Sequence, residues 1–420
     1  MHALSKPRLW SLQLLFGWMN LALAVPGIYL MFGLPLVLRQ HGWTGTDIGL
    51  LQLAALPAIF KFLFAMPVQR VRLGSGHFVH WLWLLSALLL VAYVAISWQN
   101  LIAHKLPLFA LTFVISIATT WLDIPVNALA VQWLPRSEQL RAGSIRSAAL
   151  FIGAIVGGGV MVLVLSRWGW QAPFVIMGAA VLIGCLPFVA LRTQAALPEQ
   201  NEVNTASSAA PGVVADWVSF FAQPGAKQWT WMLLTSFPFI GAVWLYLKPL
   251  MLDQGMPLEQ VAWIIGIAGG ITGAIFSLIG GRLITLLGTA RAIVLFLLAA
   301  LCALVFLTTV VWFKLDAVWL TTSALMVAAS MGVISALMFG LTMFFTRRQR
   351  TASDYGLQST LFTVARLAIP VAAGVLLDTL GHVGMLTGMS IGVLCALLLA
   401  ARARHGVGTA ARGVMGEEAQ

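Results

Sequence analysis

The sequence is poor in charge. Of its 420 residues only 9% are Asp, Glu, Lys or Arg, against about 25% in a soluble globular domain. With 60% of the chain hydrophobic and a mean hydropathy of +0.94, there is too little polar material to cover a solvated surface. A soluble protein is excluded. Cysteine is scarce as well: Cys185, Cys302 and Cys395 all lie in apolar runs, where a thiol behaves as a small hydrophobe, so a disulfide-stapled scaffold is excluded. There is no G-x-x-x-x-G-K-[ST] loop to cradle a nucleotide phosphate, and no ATP-driven pump is encoded in this chain. His77 and His80 stand near Trp81 with no third ligand in view, so no metal centre is expected. Gly388-Met389-Ser390-Ile391-Gly392 matches G-x-S-x-G but lies in an apolar run without the strand–turn–helix setting that a nucleophile needs. No enzyme, no catalytic residue and no cofactor follow from the sequence.

What is present is a series of long apolar runs, near 12–38, 46–66, 79–98, 106–131, 145–165, 171–191, 229–251, 260–287, 290–313, 317–345, 356–377 and 383–401. They are too long and continuous for barrel strands, which alternate over about ten residues. Each is long enough for a helix to cross a bilayer. The expected fold is therefore an all-α polytopic membrane protein of twelve transmembrane helices. Lys6 and Arg8 ahead of Ala22-Leu23-Ala24 imitate a signal peptide, but the apolar character runs on to Leu38, as in an uncleaved first helix.

The charge balance is basic, 24 Lys and Arg against 13 Asp and Glu. With the N-terminus inside, 17 of the 24 cations fall on the cytoplasmic side, among them Arg70, Arg146, Arg282 and the cluster Arg347, Arg348 and Arg350. Only Arg39, Lys105, Arg167 and Lys314 fall outside. This is the positive-inside asymmetry. It accounts for the net charge of +11 without nucleic acid and puts both termini in the cytoplasm. The longest polar stretch divides the chain into an N-terminal six-helix bundle (1–192), a cytoplasmic linker (193–227), a C-terminal six-helix bundle (228–402) and a disordered cytoplasmic tail (403–420).

The halves resemble each other. Pro35 to Gly42 parallels Pro249 to Gly255 with one gap, and at a constant offset of 212 residues Arg70 matches Arg282, Arg146-Ser147 matches Gln358-Ser359, and Gly169 matches Gly381. Features shared by both halves are read as architecture or gating, here Arg70, Arg146 and Arg282. Ionisable residues present once are candidates for chemistry. Lys61, Asp123, Lys248 and Arg366 lie within apolar runs and none is duplicated: Lys61 is opposite Gly273, Asp123 opposite Ser335, and Arg366 opposite Ala154. A charge at mid-membrane costs about 2.5–3.5 kcal/mol on insertion scales, so each should face protein or a wet cavity. Three cations and one acid make a positive cavity suited to an anionic solute, with Lys61, Arg366 and Lys248 as substrate-binding candidates. Asp123 is the acid deepest in a span and the candidate proton-coupling group. The competing reading is a structural Lys61–Asp123 ion pair with Lys248 snorkelling to the surface. Gly153-x-x-x-Gly157-Gly158-Gly159 and Gly266-x-x-x-Gly270 would let spans 5 and 8 approach closely. Gly157 and Gly158 are the gating or structural positions there. Pro26, Pro35, Pro57, Pro125, Pro249 and Pro370 should kink or end their spans.

Ile48-Gly49-Leu50, Leu56-Pro57, Lys61 through Pro67, Asp123-Ile124 through Leu134-Pro135, Arg146, Gly157-Gly158-Gly159, Gly169-Trp170-Gln171, Asp354-Tyr355 and Gln358-Ser359 together resemble AmpG-like permeases of the major facilitator superfamily. That resemblance implies two six-helix halves in parallel repeat with solute bound between them at the midplane. It also implies a monomeric secondary transporter of the bacterial inner membrane whose partners are a small-molecule solute, protons and lipid. The group includes muropeptide importers and RhtX/FptX-type siderophore importers. Val25-Pro26-Gly27 and Leu34-Pro35 ahead of Arg39-Gln40-His41-Gly42 look more like the siderophore branch, which makes proton-coupled siderophore uptake the leading expectation and muropeptide import the second. A reading of another class is a membrane sensor or anchor of transporter fold. The chain departs from the group at Gln69, where an acid is usual before the arginine, at Gly74 to His77, where a basic cluster is thinned, and at Asn127, where a second acid is usual.

Overall fold

A computed structural model describes the backbone of residues 6–74, 76–192 and 213–417. In hydrocarbon every backbone N–H and C=O must be satisfied internally, and a continuous helix does this within one segment. The apolar runs accordingly become helices: α1 (Lys6–Gln40), α2 (Gly45–Arg70), α3 (His77–Ser97), α4 (Lys105–Trp133), α5 (Arg136–Trp168), α6 (Gln171–Arg192), α7 (Ala226–Asp253), α8 (Leu258–Leu287), α9 (Thr289–Trp312) and α10 (Ala317–Phe344). The last stretch, Thr351–Glu417, is helical except at Gly381, where φ is +69°. That left-handed turn, which glycine adopts without a Cβ clash, separates α11 (351–380) from α12 (382–417). Among the described residues, each of the twelve apolar runs lies in one of these helices.

Within the segment read as linker, Val213–Phe221 forms a short helix; residues 193–212 lie outside the described residues. The tail expected to be disordered is helical as far as Glu417, because 403–417 continues the helical phase of α12 without a proline to stop it.

The internal repeat is visible in the backbone. Gly169 and Gly381 turn into α6 and α12 with φ/ψ of 80°/−176° and 69°/−174°. Gly42 and Gly255 both take φ +85° after their first helices.

Of the prolines within spans, Pro57 marks a clear break, as a residue without an N–H donor can, whereas Pro125, Pro249 and Pro370 lie inside continuous helix. Around Pro57, α2 narrows to a 3-10 turn over Leu53–Phe60, and regular α-helix resumes at Lys61. Wide π-turns interrupt α1 at Tyr29–Gly33, α5 at Val156–Val160 and α8 at Trp263–Ala268.

The chain packs as two compact units that do not follow chain order. The first comprises Met1–Leu134, Val156–Gln223 and Thr346–Leu357; the second comprises Pro135–Ile155, Pro224–Phe345 and Gln358–Gln420. In the first, α1, α3, α4 and α6 pack through large side chains. Phe16 meets Trp133 and Phe188, and Trp170 donates its indole N–H to the Ile96 carbonyl at 2.7 Å. Here α1 and α5 touch backbone to backbone: a Cβ on Gly33 would stand 2.7 Å from the Gly157 carbonyl oxygen, and one on Gly157 would stand 2.6 Å from that of Val25. In the second unit the start of α5, α8 and α10 form a tight trio. Ser147 and Ser277 share a hydroxyl hydrogen bond of 2.8 Å, and Gly143 lies against Gly340.

The glycines of the two motifs serve different neighbours. Gly157 serves α1, Gly158 has only Ile28 Cγ2 within reach at 3.9 Å, and Gly266 faces open space. In α8, Gly270 and Gly273 receive Ile155 and Phe151 of α5. The second glycine of the predicted motif and the glycine three residues beyond it make that contact, while Gly266 does not, because hydropathy alone does not say which face of a helix meets its neighbour.

Candidate functional site

The break at Pro57 places Lys61 on the first turn of the lower arm of α2, and Asp123 stands mid-way along α4, two residues before Pro125. The two side chains form an ion pair, with 13% and 14% of their surfaces exposed. The carboxylate is held by three side chains. Its Oδ2 accepts from Lys61 Nζ and, at 2.6 Å, from the hydroxyl of Tyr355; its Oδ1 accepts from Asn127 Nδ2 at 2.9 Å. Asn127 also donates to the Asp123 backbone carbonyl at 2.7 Å, which ties the amide to its own helix. The Lys61 ammonium lies 5.2 Å from the centre of the Tyr355 ring, within cation–π range. Tyr355 itself is fully buried. The next residue, Gly356, lies against Ala65 with no room for a Cβ, so the start of α11 approaches α2 closely.

Of the two readings of Lys61 and Asp123, the ion pair is formed. Lys61 is balanced by Asp123, so the surplus positive charge among the four intramembrane ionisable residues belongs to Lys248 and Arg366. Those two lie in the second unit. Both are exposed, and neither makes an ion pair among the described residues. Arg366 precedes Pro370 by one turn, so its carbonyl loses the usual helical donor.

The residues shared by the repeat lie in different surroundings. Arg146 is 8% exposed, and its guanidinium lies 4.7 Å from the ring centre of Phe339. The matching Gln358 accepts from Trp229 Nε1 at 2.6 Å. Arg70 and Arg282 are exposed near the ends of α2 and α8. His77 and His80 each direct a ring nitrogen to a backbone carbonyl, those of Val68 and Gly76.

A second polar layer surrounds the segment 346–357 in the first unit. Arg347 grips Asp354 with two bonds of 2.7 Å, and Asp354 also accepts from the Arg347 backbone N–H at 3.0 Å. Arg347 reaches Ser219, and Arg350 pairs with Asp216, both on the short helix Val213–Phe221. Trp217 of that helix packs edge-on against Phe62. Gln69 accepts from the Ala352 N–H at 3.0 Å and donates to the Gln349 carbonyl at 3.3 Å. An amide can do both, whereas an ionised acid can only accept; this is the physical content of the departure at Gln69.

Sequence reasoning missed Tyr355 and the clamp by the short helix. Asp354-Tyr355 was visible as a pair at the start of span 11, but nothing in the spacing says that a tyrosine there reaches an acid on α4.

The major facilitator superfamily's sequence profile matches residues 11–370. The chain belongs to that superfamily. It is 27% identical over 281 residues to the anhydromuropeptide permease of Escherichia coli K12, an alignment covering 63% of this chain and 55% of the permease. It thus spans about half the length of that relative. It is 22% identical to a transporter designated AmpG 4 of Rickettsia felis, over 77% of this chain and 79% of the relative. Among solved structures, the proton:xylose symporter XylE superposes with a TM-score of 0.73 at 12% identity, covering 94% of this chain and 95% of the symporter. That likeness shows the fold. This superfamily member is a polytopic membrane protein related at low identity to AmpG-type permeases, as the motifs around Lys61 and Asp123 implied.

Proposed function

We propose that this chain is a proton-coupled secondary transporter of the bacterial inner membrane that carries an organic anionic solute inward, as a monomer with both termini in the cytoplasm. The observation that supports it is the pairing of Lys61 with Asp123 inside the helical bundle. An acid and an amine that neutralise each other form a switch. When Asp123 is ionised it holds Lys61. When it takes a proton, the attraction is lost and the ammonium turns to an anionic group of the solute. When the proton leaves on the other side, Asp123 reclaims Lys61 and the solute departs. Proton and solute then travel together because one amine serves both partners. Arg366 and Lys248 supply further positive charge to the solute.

The solute is read as a siderophore, on the branch resemblance carried by Pro26 and Pro35. A second reading, an anhydromuropeptide, is favoured by the relatives named above. Proteoliposomes with an imposed proton gradient, offered a labelled ferric siderophore and an anhydromuropeptide side by side, test both. Siderophore accumulation abolished by a protonophore is the expected result. Muropeptide accumulation would keep the coupling and replace the substrate. Movement of neither would overturn the transport of both solutes.

A further inference from the structure

We propose that Tyr355 is a positioning residue that ties the docking of segment 346–357 to the charge on Asp123. The inference rests on the proton-coupling reading of Asp123 and deepens it. The segment belongs to the first unit by packing, while its direct continuation, from Gln358, belongs to the second. Its anchors on the short helix and on Gln69 lie in the loop and first turn, at Arg347, Gln349, Arg350 and Ala352. The Tyr355 hydroxyl makes a different kind of contact, a 2.6 Å bond to a titratable carboxylate of α4. Its ring also lies beside the amine that the same carboxylate holds.

A hydroxyl donating to a carboxylate makes a charge-assisted bond, roughly twice as strong as a neutral one. Protonation of Asp123 weakens that bond and the Lys61 pair in one event. The segment is then retained by its remaining anchors alone. The uptake of one proton thus loosens the first turns of α11 three residues before the chain passes from one unit to the other.

Several described residues surround Asp123. Lys61 faces it from α2 and Tyr355 from α11, and Asn127 caps it from its own helix. On α3, His77 and His80 are engaged with backbone carbonyls. On α1, Lys6 and Arg8 are exposed at the start of the helix. Asp354, beside Tyr355, is held by Arg347.

The test is hydrogen–deuterium exchange of the peptide covering 346–357 in the full-length protein in lipid nanodiscs, corrected for intrinsic rates and followed from neutral to acid pH. In the wild type, protection should be high at neutral pH and fall about tenfold, the worth of one charge-assisted hydrogen bond, as Asp123 is protonated. Asp123→Asn should give low protection that does not change with pH. Tyr355→Phe, which keeps the ring, should lower protection about tenfold at neutral pH and flatten its pH dependence. A merely structural hydroxyl would lower protection and leave the pH dependence intact; that result overturns the proposal, as does a wild-type segment whose exchange ignores pH. The wild-type series alone decides the second point even if Tyr355→Phe does not fold. Uptake by Asp123→Asn separates the two readings. Uphill uptake retained by that variant sinks the coupling role of Asp123. Uphill uptake lost while the segment ignores pH sinks only the role of Tyr355.

Discussion

Neutralising Lys61 and Asp123 singly and then together gives the sharpest test of the central pair. Removing one partner of a buried ion pair costs about 3–5 kcal/mol because the other charge is left uncompensated. Here 13% and 14% of the two side chains remain exposed, so the lower end applies. After Lys61→Met the carboxylate keeps its bonds from Tyr355 and Asn127. After Asp123→Asn the ammonium keeps the Tyr355 ring, a contact worth about 0.5–1 kcal/mol. Each single change should therefore cost about 3 kcal/mol. The double variant loses both charges at once and should lie within about 1 kcal/mol of the wild type, since apolar or neutral replacements of whole buried pairs are often tolerated. The pair's coupling energy is then about 5 kcal/mol. Cys185 supplies the reporter: it is buried, with Sγ 3.1 Å from Ser86 Oγ, whereas Cys302 and Cys395 are exposed. In a Cys302→Ala/Cys395→Ala background, denaturant unfolding in micelles can be followed by labelling of Cys185. If the double variant is as unstable as the sum of the singles, the two residues do not act as a pair and the switch has no basis.

Other outcomes follow from the same geometry. Asp123→Asn should abolish uphill uptake while leaving solute exchange at equal concentrations, measured by counterflow in proteoliposomes. Arg366→Gln should weaken solute binding by roughly tenfold, the loss of one charge-assisted contact, and Lys248→Gln by less, as read by competition for uptake; unchanged affinity in both would remove the case for an anionic solute. Gly157→Ala should destabilise the α1–α5 contact by about 1–3 kcal/mol through overpacking, whereas Gly158→Ala, with its nearest neighbour 3.9 Å away, should be close to neutral in the same unfolding assay. Gln69→Glu should set a carboxylate against the Gln349 carbonyl and raise hydrogen exchange in 347–352, with the change confined to that segment.

The sequence alone determined the class of molecule and the number of crossings. A chain with 9% charge must be solvated by lipid, and lipid admits the backbone only as helices or closed barrels. The runs were too long for barrel strands. The repeat was also legible, because Gly42 and Gly255, and Gly169 and Gly381, stand at turns of positive φ that favour glycine. The four intramembrane ionisable residues stood out by the cost of putting them in hydrocarbon. What one dimension could not decide was which residues meet. Lys61 and Asp123 are 62 residues apart and Tyr355 a further 232; no local pattern encodes that meeting. It depends on the break at Pro57, on the space left at Gly356 and on how α2, α4 and the start of α11 pack. The same is true of Gly157, whose motif promised close approach without naming α1 as the partner, and of the short helix at 213–221, whose apolar and acidic residues gained a role only when Arg347, Arg350 and Phe62 came to lie beside them. Helix formation in a membrane is settled within each segment by its own backbone hydrogen bonds; the pairing of charges is settled between segments, by side-chain packing that the tertiary structure alone completes.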